Sequence, residues 1–140
     1  MNFIKIVLLV SLISFFQFTW AKTETDTITN WQLYKDSEIL FRSNRVDCYK
    51  LTGTVKKTDG FKFLKVVFFR DTRIYGKQKI KFLNDGKVVA EFDYENREEL
   101  KIPKSKIQSL YKKTGIDLTM MYYDAIESKG IVLGYLRLEN

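Results

Sequence analysis

Alternation of apolar and polar residues with a period of two is the feature that most constrains the fold of this chain. The alternation starts at Trp31, continues to Leu138, and is rich in aromatic and β-branched side chains. This pattern is typical of strands that bury one face and expose the other. Glycine-containing turn sequences separate the runs at residues 58–60, 75–76, 84–86 and 128–130. We therefore expect a mostly β fold.

Eight segments have the length and composition of strands. They are Trp31–Tyr34, Ile39–Arg42, Cys48–Lys56, Val66–Phe69, Lys79–Phe82, Val88–Glu95, Leu118–Tyr123 and Ile131–Leu138. The Val66–Phe69 run is apolar at every position, which predicts a central strand covered on both sides, as a two-layer fold provides.

One pair of these segments forms a predicted hairpin around Asp85-Gly86, a dipeptide that is common between antiparallel strands. In its second strand the period of two places one set of side chains toward the core: Val88, Ala90, Phe92 and Tyr94. The opposite set faces solvent: Val89, Glu91, Asp93 and Glu95.

A single short helix is expected near residues 105–113. The Ser105-x-x-Gln108 pair has the form of a capping box, and Ile107, Leu110 and Tyr111 share one helical face. About eight strands with one such helix predict an antiparallel β-sandwich, and a small, partly open β-barrel is the alternative. Residues 30–140 have the size of one domain.

The first 21 residues have the form of a cleaved secretory signal peptide. Lys5 precedes a short apolar stretch that ends at Thr19-Trp20-Ala21, with small residues at the first and third positions. A membrane anchor is the competing interpretation, but Ile6–Ala21 is shorter than the roughly 20 residues that a spanning helix needs. We expect export to a bacterial periplasm or beyond the cell, with residues 22–29 as a flexible polar leader and no transmembrane segment after cleavage.

Composition excludes several classes of chemistry. The chain has no histidine, so catalysis by Ser-His-Asp or Cys-His groups and zinc sites of ordinary composition are ruled out. Its only cysteine, Cys48, has no partner for an internal disulfide. Neither a Gly-x-Gly-x-x-Gly nor a phosphate-loop sequence occurs, so no nucleotide is expected. We expect no cofactor, no metal and no enzymatic activity.

Charge is unevenly distributed along the chain, which carries a net charge of +7. Residues 42–81 hold twelve basic and three acidic side chains, and residues 82–99 hold two basic and six acidic ones. A surface that binds anions is therefore predicted at Arg70, Arg73, Lys77, Lys79 and Lys81. Its partner would be an anionic polysaccharide, lipopolysaccharide or an acidic protein. The alternative is that these lysines only keep an exposed sheet face hydrated.

Basic residues mixed with aromatic ones also resemble single-strand nucleic-acid platforms, but export and the core-facing positions of the aromatics argue against that partner. The sequence thus predicts an exported, non-catalytic binding module for an anionic glycan or protein surface.

Two alternatives remain open. One is a small glycan hydrolase that uses Asp93 and Glu95, since alternate side chains on a strand lie roughly 6.5–7 Å apart and paired carboxylates cleave glycosides at comparable distances. The other is a structural or assembly component of a bacterial envelope system.

Overall fold

The computed structural model describes residues 29–44, 47–71, 76–111 and 117–140. The predicted signal peptide, residues 1–21, and the predicted leader up to residue 28 lie outside this part of the chain. The described elements are β1 (Thr29–Lys35), β2 (Glu38–Ser43), β3 (Thr52–Lys56), β4 (Phe63–Arg70), β5 (Lys77–Asn84), β6 (Lys87–Glu95), β7 (Glu99–Pro103), α1 (Lys104–Tyr111), β8 (Leu118–Tyr123) and β9 (Ile131–Glu139).

The strands form two sheets. The first has the order β2-β1-β4-β7 and is antiparallel throughout. The second has the order β3-β9-β8-β5-β6, and in it only β3 and β9 pair in parallel. The predicted β-sandwich with one short helix is confirmed, and the described strands do not close into the alternative barrel.

The additional strand is β7, which sequence reasoning missed. It pairs with β4, so that Ile102 lies opposite Leu64 and Pro103 lies opposite Phe63. A proline lacks the N–H that a central strand needs, and β7 can contain one because it lies at the sheet edge. At another edge, β3 begins at Thr52 and not at Cys48.

β4 is central in the first sheet, as predicted, but it is covered on only one side. Val66 and Phe68 are buried against the second sheet, whereas Val67 is half-buried and Phe69 is 40% exposed. The expectation that both faces of this run are covered is therefore wrong, because no third layer lies over the outer face in the described part of the chain.

A bulge changes the facing of residues in β6. Phe82 pairs with Ala90 and Leu83 pairs with Val88, so Val89 is the extra residue between two register positions. Val89 and Ala90 both pack against the core, and Val88 is 51% exposed. The prediction that Val88 shares the inner face with Ala90 is wrong, while Tyr94 is buried as predicted.

Aromatic side chains join the two sheets. Phe68 from β4 stacks on Tyr122 from β8, with ring centroids 3.7 Å apart and planes 13° from parallel. Trp31 from β1 lies beyond Phe68 at 6.2 Å, and its indole N–H donates a 2.8 Å hydrogen bond to the carbonyl of Leu133 in β9. The hydrogen bond satisfies the one polar atom of a side chain that is 1% exposed.

Cys48 is buried and its thiol is free. Its backbone N–H donates a hydrogen bond to the carbonyl of Val132 in β9. Within the described residues, no helix has the length and hydropathy that crossing a membrane requires.

Candidate ligand-binding cleft

The predicted basic stripe on β5 faces acidic side chains on β6. In the hairpin register Lys79 lies opposite Asp93 and Lys81 lies opposite Glu91. Lys79 Nζ is 2.5 Å from one Glu91 carboxylate oxygen and 3.5 Å from Asp93, and Lys81 Nζ is 3.4 Å from the other oxygen of Glu91. The hydrogen bond that Lys79 donates to Glu91 lowers the pKa of Glu91 and raises the pKa of Lys79. Much of the charge of the stripe is thus neutralised on its own sheet face.

The five predicted anion-binding residues do not form one surface. Lys77, Lys79 and Lys81 share a face of β5, with Lys77 opposite Glu95. Arg70 instead lies in the interior of the sandwich, with a side chain that is 7% exposed. Arg73 lies outside the described residues.

Arg70 is buried because it continues the inward positions of β4 after Phe68. Its guanidinium lies over the Phe68 ring at 5.4 Å, and its Nη2 donates a 2.9 Å hydrogen bond to Glu127. Nη1 lies 3.7 Å from Asp124 Oδ2, which is an ion-pair distance and longer than a hydrogen bond. Nη1 therefore has no hydrogen-bond partner among the described residues, although it is buried.

Asp124 organises the loop that brings Glu127 to Arg70. Its side chain is fully buried, and Oδ1 accepts hydrogen bonds from the backbone N–H groups of Ile126 and Glu127 at 2.8 and 2.7 Å. Oδ2 accepts a 2.8 Å hydrogen bond from the Tyr122 hydroxyl. This local pattern, in which an aspartate bonds the backbone two and three residues on, is typical of a tight turn.

Gln78 extends the network toward the connection between β6 and β7. Its Nε2 donates to the Tyr122 hydroxyl at 3.3 Å, and its Oε1 accepts from the backbone N–H of Arg97 at 3.1 Å. Beside it, the Tyr94 hydroxyl is buried and has no hydrogen-bond partner in the part of the chain that the structure describes. Two polar atoms of the floor, Arg70 Nη1 and Tyr94 Oη, thus lack a partner among these residues.

A cleft of about 820 Å³ lies above these groups, where the chain crosses from β6 of one sheet to β7 of the other. Buried side chains form its floor: Phe68, Arg70, Gln78, Tyr94 and Tyr122. Asp93 and residues 95–101 form the mouth, and these are mostly charged. The volume is within the range of about 300–1,000 Å³ that small-ligand sites occupy.

Both floor tyrosines are held in their protonated form. Burial, and secondarily the charge of Asp124, raises the pKa of Tyr94 well above its ordinary range. Burial also raises the pKa of Tyr122. At physiological pH the Tyr94 hydroxyl and the Arg70 guanidinium are therefore both hydrogen-bond donors, and they can bind an oxygen acceptor.

The carboxylates of the hydrolase alternative lie at the mouth of the same cleft. Asp93 has a side chain that is 72% exposed and lies near Lys79. Hydrolysis by Asp93 and Glu95 stays a prediction, and a glycan-hydrolysis screen with an Asp93→Asn control would test it. Among the described residues, no three acidic or cysteine side chains are grouped as a metal site.

Comparison of the chain with models of known protein families, with curated proteins and with solved structures finds no match. The candidate site therefore rests on the chain's own geometry.

Sequence reasoning missed most of the polar network around Arg70, namely Gln78 and Tyr94 on the cleft floor and Asp124 and Glu127, which do not line the cleft. A signal for three of its members was present, because a polar group at a core-facing position of a strand is costly unless it is bonded. Arg70 follows Phe68, Gln78 precedes Ile80, and Asp124 follows Tyr122, each two positions away on a buried face. Their convergence on one place depends on the sheet order, which the sequence pattern does not contain.

Proposed function

We propose that this chain is an exported, non-catalytic binding module that holds an oxygen-rich ligand, a glycan, in the cleft between β6 and β7. Support for export comes from the composition of residues 1–21 alone. The observation that carries the binding proposal is the buried Arg70 Nη1, for which no described residue provides a hydrogen-bond acceptor.

An unpartnered donor in such a place is unfavourable for folding. Leaving a buried polar group without a hydrogen bond costs about 1–3 kcal/mol, and more when the group is charged. The Tyr94 hydroxyl adds a second such group on the same floor. A bound ligand whose oxygen accepts hydrogen bonds from these donors would explain why they are unpartnered, because function is a common reason for an unsatisfied buried group.

The basic stripe supports the anionic partner that the sequence predicts less well than the cleft supports a glycan. Lys79 and Lys81 already have carboxylate partners within 3.5 Å. An anion that approached them would compete with Glu91 and Asp93, which are held on the same face by the hairpin register.

Tyr94→Phe tests the proposal, because it removes one unpartnered oxygen and leaves the ring in place. We expect the variant to be as stable as the parent or up to about 1 kcal/mol more stable, and to bind its ligand about threefold to tenfold more weakly. An array of neutral, amino and acidic oligosaccharides identifies the tightest binder, and titration calorimetry then compares the two proteins with that oligosaccharide.

Tyr122→Phe is the matched control for stability. It removes a hydroxyl that donates to Asp124 and accepts from Gln78, so chemical denaturation should show a loss of about 1–3 kcal/mol. Equal affinity of Tyr94→Phe and the parent for the oligosaccharide would place the binding site outside the cleft. Absence of binding to every oligosaccharide of the array at millimolar concentration would refute the proposal.

A further inference from the structure

We infer that the cleft selects glycans with uncharged oxygens and free amino groups, and disfavours acidic glycans, although the chain as a whole is basic. This inference rests on the proposed function and specifies the chemical class of its ligand. Three observations carry it: the charges behind Arg70, the charges at the mouth, and the scarcity of apolar lining.

Two carboxylates that do not line the cleft already compensate the charge of Arg70. Glu127 accepts a hydrogen bond from Nη2 at 2.9 Å, and Asp124 lies 3.7 Å from Nη1. One guanidinium with two carboxylates leaves one excess negative charge on these three side chains, of which Arg70 and Asp124 are buried and Glu127 is 29% exposed. A carboxylate or sulfate on a ligand would be repelled by that excess negative charge, and the repulsion is stronger where the dielectric constant is low. A hydroxyl or amide oxygen is uncharged, so it accepts a hydrogen bond from Nη1 without this repulsion.

The mouth adds to the same preference. The residues that line the cleft include three basic and four acidic side chains. Lys101 pairs with Glu99 at 3.3 Å and Asp93 pairs with Lys79 at 3.5 Å, so these charges are partly satisfied. Glu95, Arg97 and Glu98 are exposed and form no ion pair with any described residue. Together they carry one excess negative charge, and the two carboxylates are placed to attract an ammonium group on a ligand that projects from the cleft.

The lining favours a glycan over a basic peptide. Peptides gain much of their affinity from apolar side chains in pockets or from pairing along a sheet edge. The cleft has a single aliphatic residue, Leu100, and its three aromatic residues are each less than 10% exposed. A hydroxyl-rich ligand with amino groups matches a surface that offers hydrogen-bond donors below and carboxylates above.

The test compares three oligosaccharides of equal length by titration calorimetry with the mature protein. They are an N-acetylglucosamine trimer, a glucosamine trimer and a galacturonate trimer. We expect the glucosamine trimer to bind most tightly and the galacturonate trimer most weakly. Raising the salt concentration should weaken the binding of the glucosamine trimer and leave the affinity for the N-acetylglucosamine trimer unchanged, because only the glucosamine trimer pairs its charge with carboxylates at the exposed mouth.

Glu98→Gln and Glu95→Gln supply the matched variants. Each substitution should lower the affinity for the glucosamine trimer about twofold to fivefold, since exposed ion pairs contribute modestly. The affinity for the N-acetylglucosamine trimer should fall by less than that. Tyr94→Phe should weaken both trimers equally, because it acts on the floor and not on the mouth.

The outcomes separate the charge preference from the proposed function. Tightest binding of the galacturonate trimer, lost in Tyr94→Phe, would overturn the charge preference and leave the cleft as the binding site. Tighter binding of a tetralysine peptide than of any trimer would overturn the choice of glycan. If none of the three trimers binds, this inference fails, and the glycan proposal fails with it when no oligosaccharide of the array binds either.

Discussion

At the scale of single residues, some side chains in the interior of the sandwich meet two requirements at once: they occupy core-facing strand positions, and their polar groups have partners. Arg70 occupies a core-facing position of β4, yet its charge is balanced by Asp124 and Glu127. Trp31 occupies a core-facing position of β1, yet its N–H is bonded to Leu133. In both cases the strand's period of two decides the direction of the side chain, and a distant loop or strand supplies the polar partner.

Gly134 shows how little space the backbone leaves at one such position. It lies in β9 with φ of 142°, and an added Cβ would come within 2.8 Å of the Leu51 carbonyl oxygen and 2.9 Å of the Phe41 ring. We expect Gly134→Ala to lower the free energy of unfolding by about 2–4 kcal/mol, because the clash and the backbone strain act together.

Chemical denaturation checks that prediction, with Gly60→Ala as the matched control. No atom lies within 4 Å of the Cβ that Gly60 would gain, so its change should be within about 0.5 kcal/mol of the parent. If the two variants were equally stable, the close approach at Gly134 would not constrain the fold.

At the scale of elements, the turn between β1 and β2 is fixed to the start of β4 by Asp36. Its carboxylate accepts backbone hydrogen bonds from Lys62 and Phe63 at 2.8–3.0 Å, and its own N–H donates to the Phe63 carbonyl. The two backbone N–H groups lower the pKa of Asp36 from its ordinary value of 3.8. The ionised form is thus the one that stabilises this junction.

This contact predicts a loss of stability in acid. Because the folded-state pKa is lowered, the contribution of Asp36 is fully present above its unfolded value of 3.8 and is lost as the pH falls through the folded value. Asp36→Asn should be less stable than the parent at pH 7 and should lose less stability between pH 5 and pH 2. Urea denaturation across that pH range measures both effects.

Asparagine tolerates the φ of 51° at position 36, so the substitution tests charge and not backbone conformation. Asp85→Asn, in the β5–β6 turn with φ of 49°, controls for the change to an amide and should leave the stability at pH 7 unchanged. Parallel pH curves for Asp36→Asn and the parent would show that this carboxylate does not stabilise the junction.

The elements also show what the period of two can and cannot predict. It located eight of the nine described strands, and it predicted the burial of alternate residues in β5, which has one buried and one partly exposed face. It did not show that the first four residues of β9 are all buried. It missed β7, where Glu99, Lys101 and Pro103 read as a polar connection but lie on the outer face of an edge strand. It also assigned Val88 and Val89 to the wrong faces, because the extra residue at the bulge shifts the register there, whereas Ala90, Phe92 and Tyr94 lie toward the core as predicted.

At the scale of the whole molecule, the fold brings together charges that are separate in the sequence. The basic stripe of residues 77–81 and the acidic run of residues 91–95 belong to segments of opposite net charge, yet they become direct neighbours in one hairpin. The cleft likewise draws its residues from β4, β5, β6, β7 and β8. Candidate residues such as Arg70 can be found from the sequence, but their partners depend on long-range pairing.

Strand β9 is the element on which this long-range pairing depends most. It lies between β3 and β8, contributes Ile131, Leu133, Leu136 and Leu138 to the core, and accepts the hydrogen bond of Trp31. Burial of each such side chain contributes about 1.5–3 kcal/mol, and their sum is comparable to the 5–15 kcal/mol that stabilises a typical domain.

We therefore expect a chain that lacks residues 131–140 to remain unfolded. Circular dichroism and amide chemical-shift dispersion are the measurements, and removal of the exposed Asn140 alone is the control, which should fold with unchanged stability. A cooperative thermal transition in the longer truncation would show that the remaining strands form a core without β9.

The burial of Cys48 turns the only thiol of the chain into a native probe of molecular opening. Thiol reagents react with an accessible thiolate, so a buried thiol is modified mainly during the brief intervals in which its surroundings separate. Because the backbone of Cys48 is hydrogen-bonded to Val132, its modification reports when the loop lifts from β9. The rate of thiol labelling therefore measures the free energy of this local opening without a single substitution.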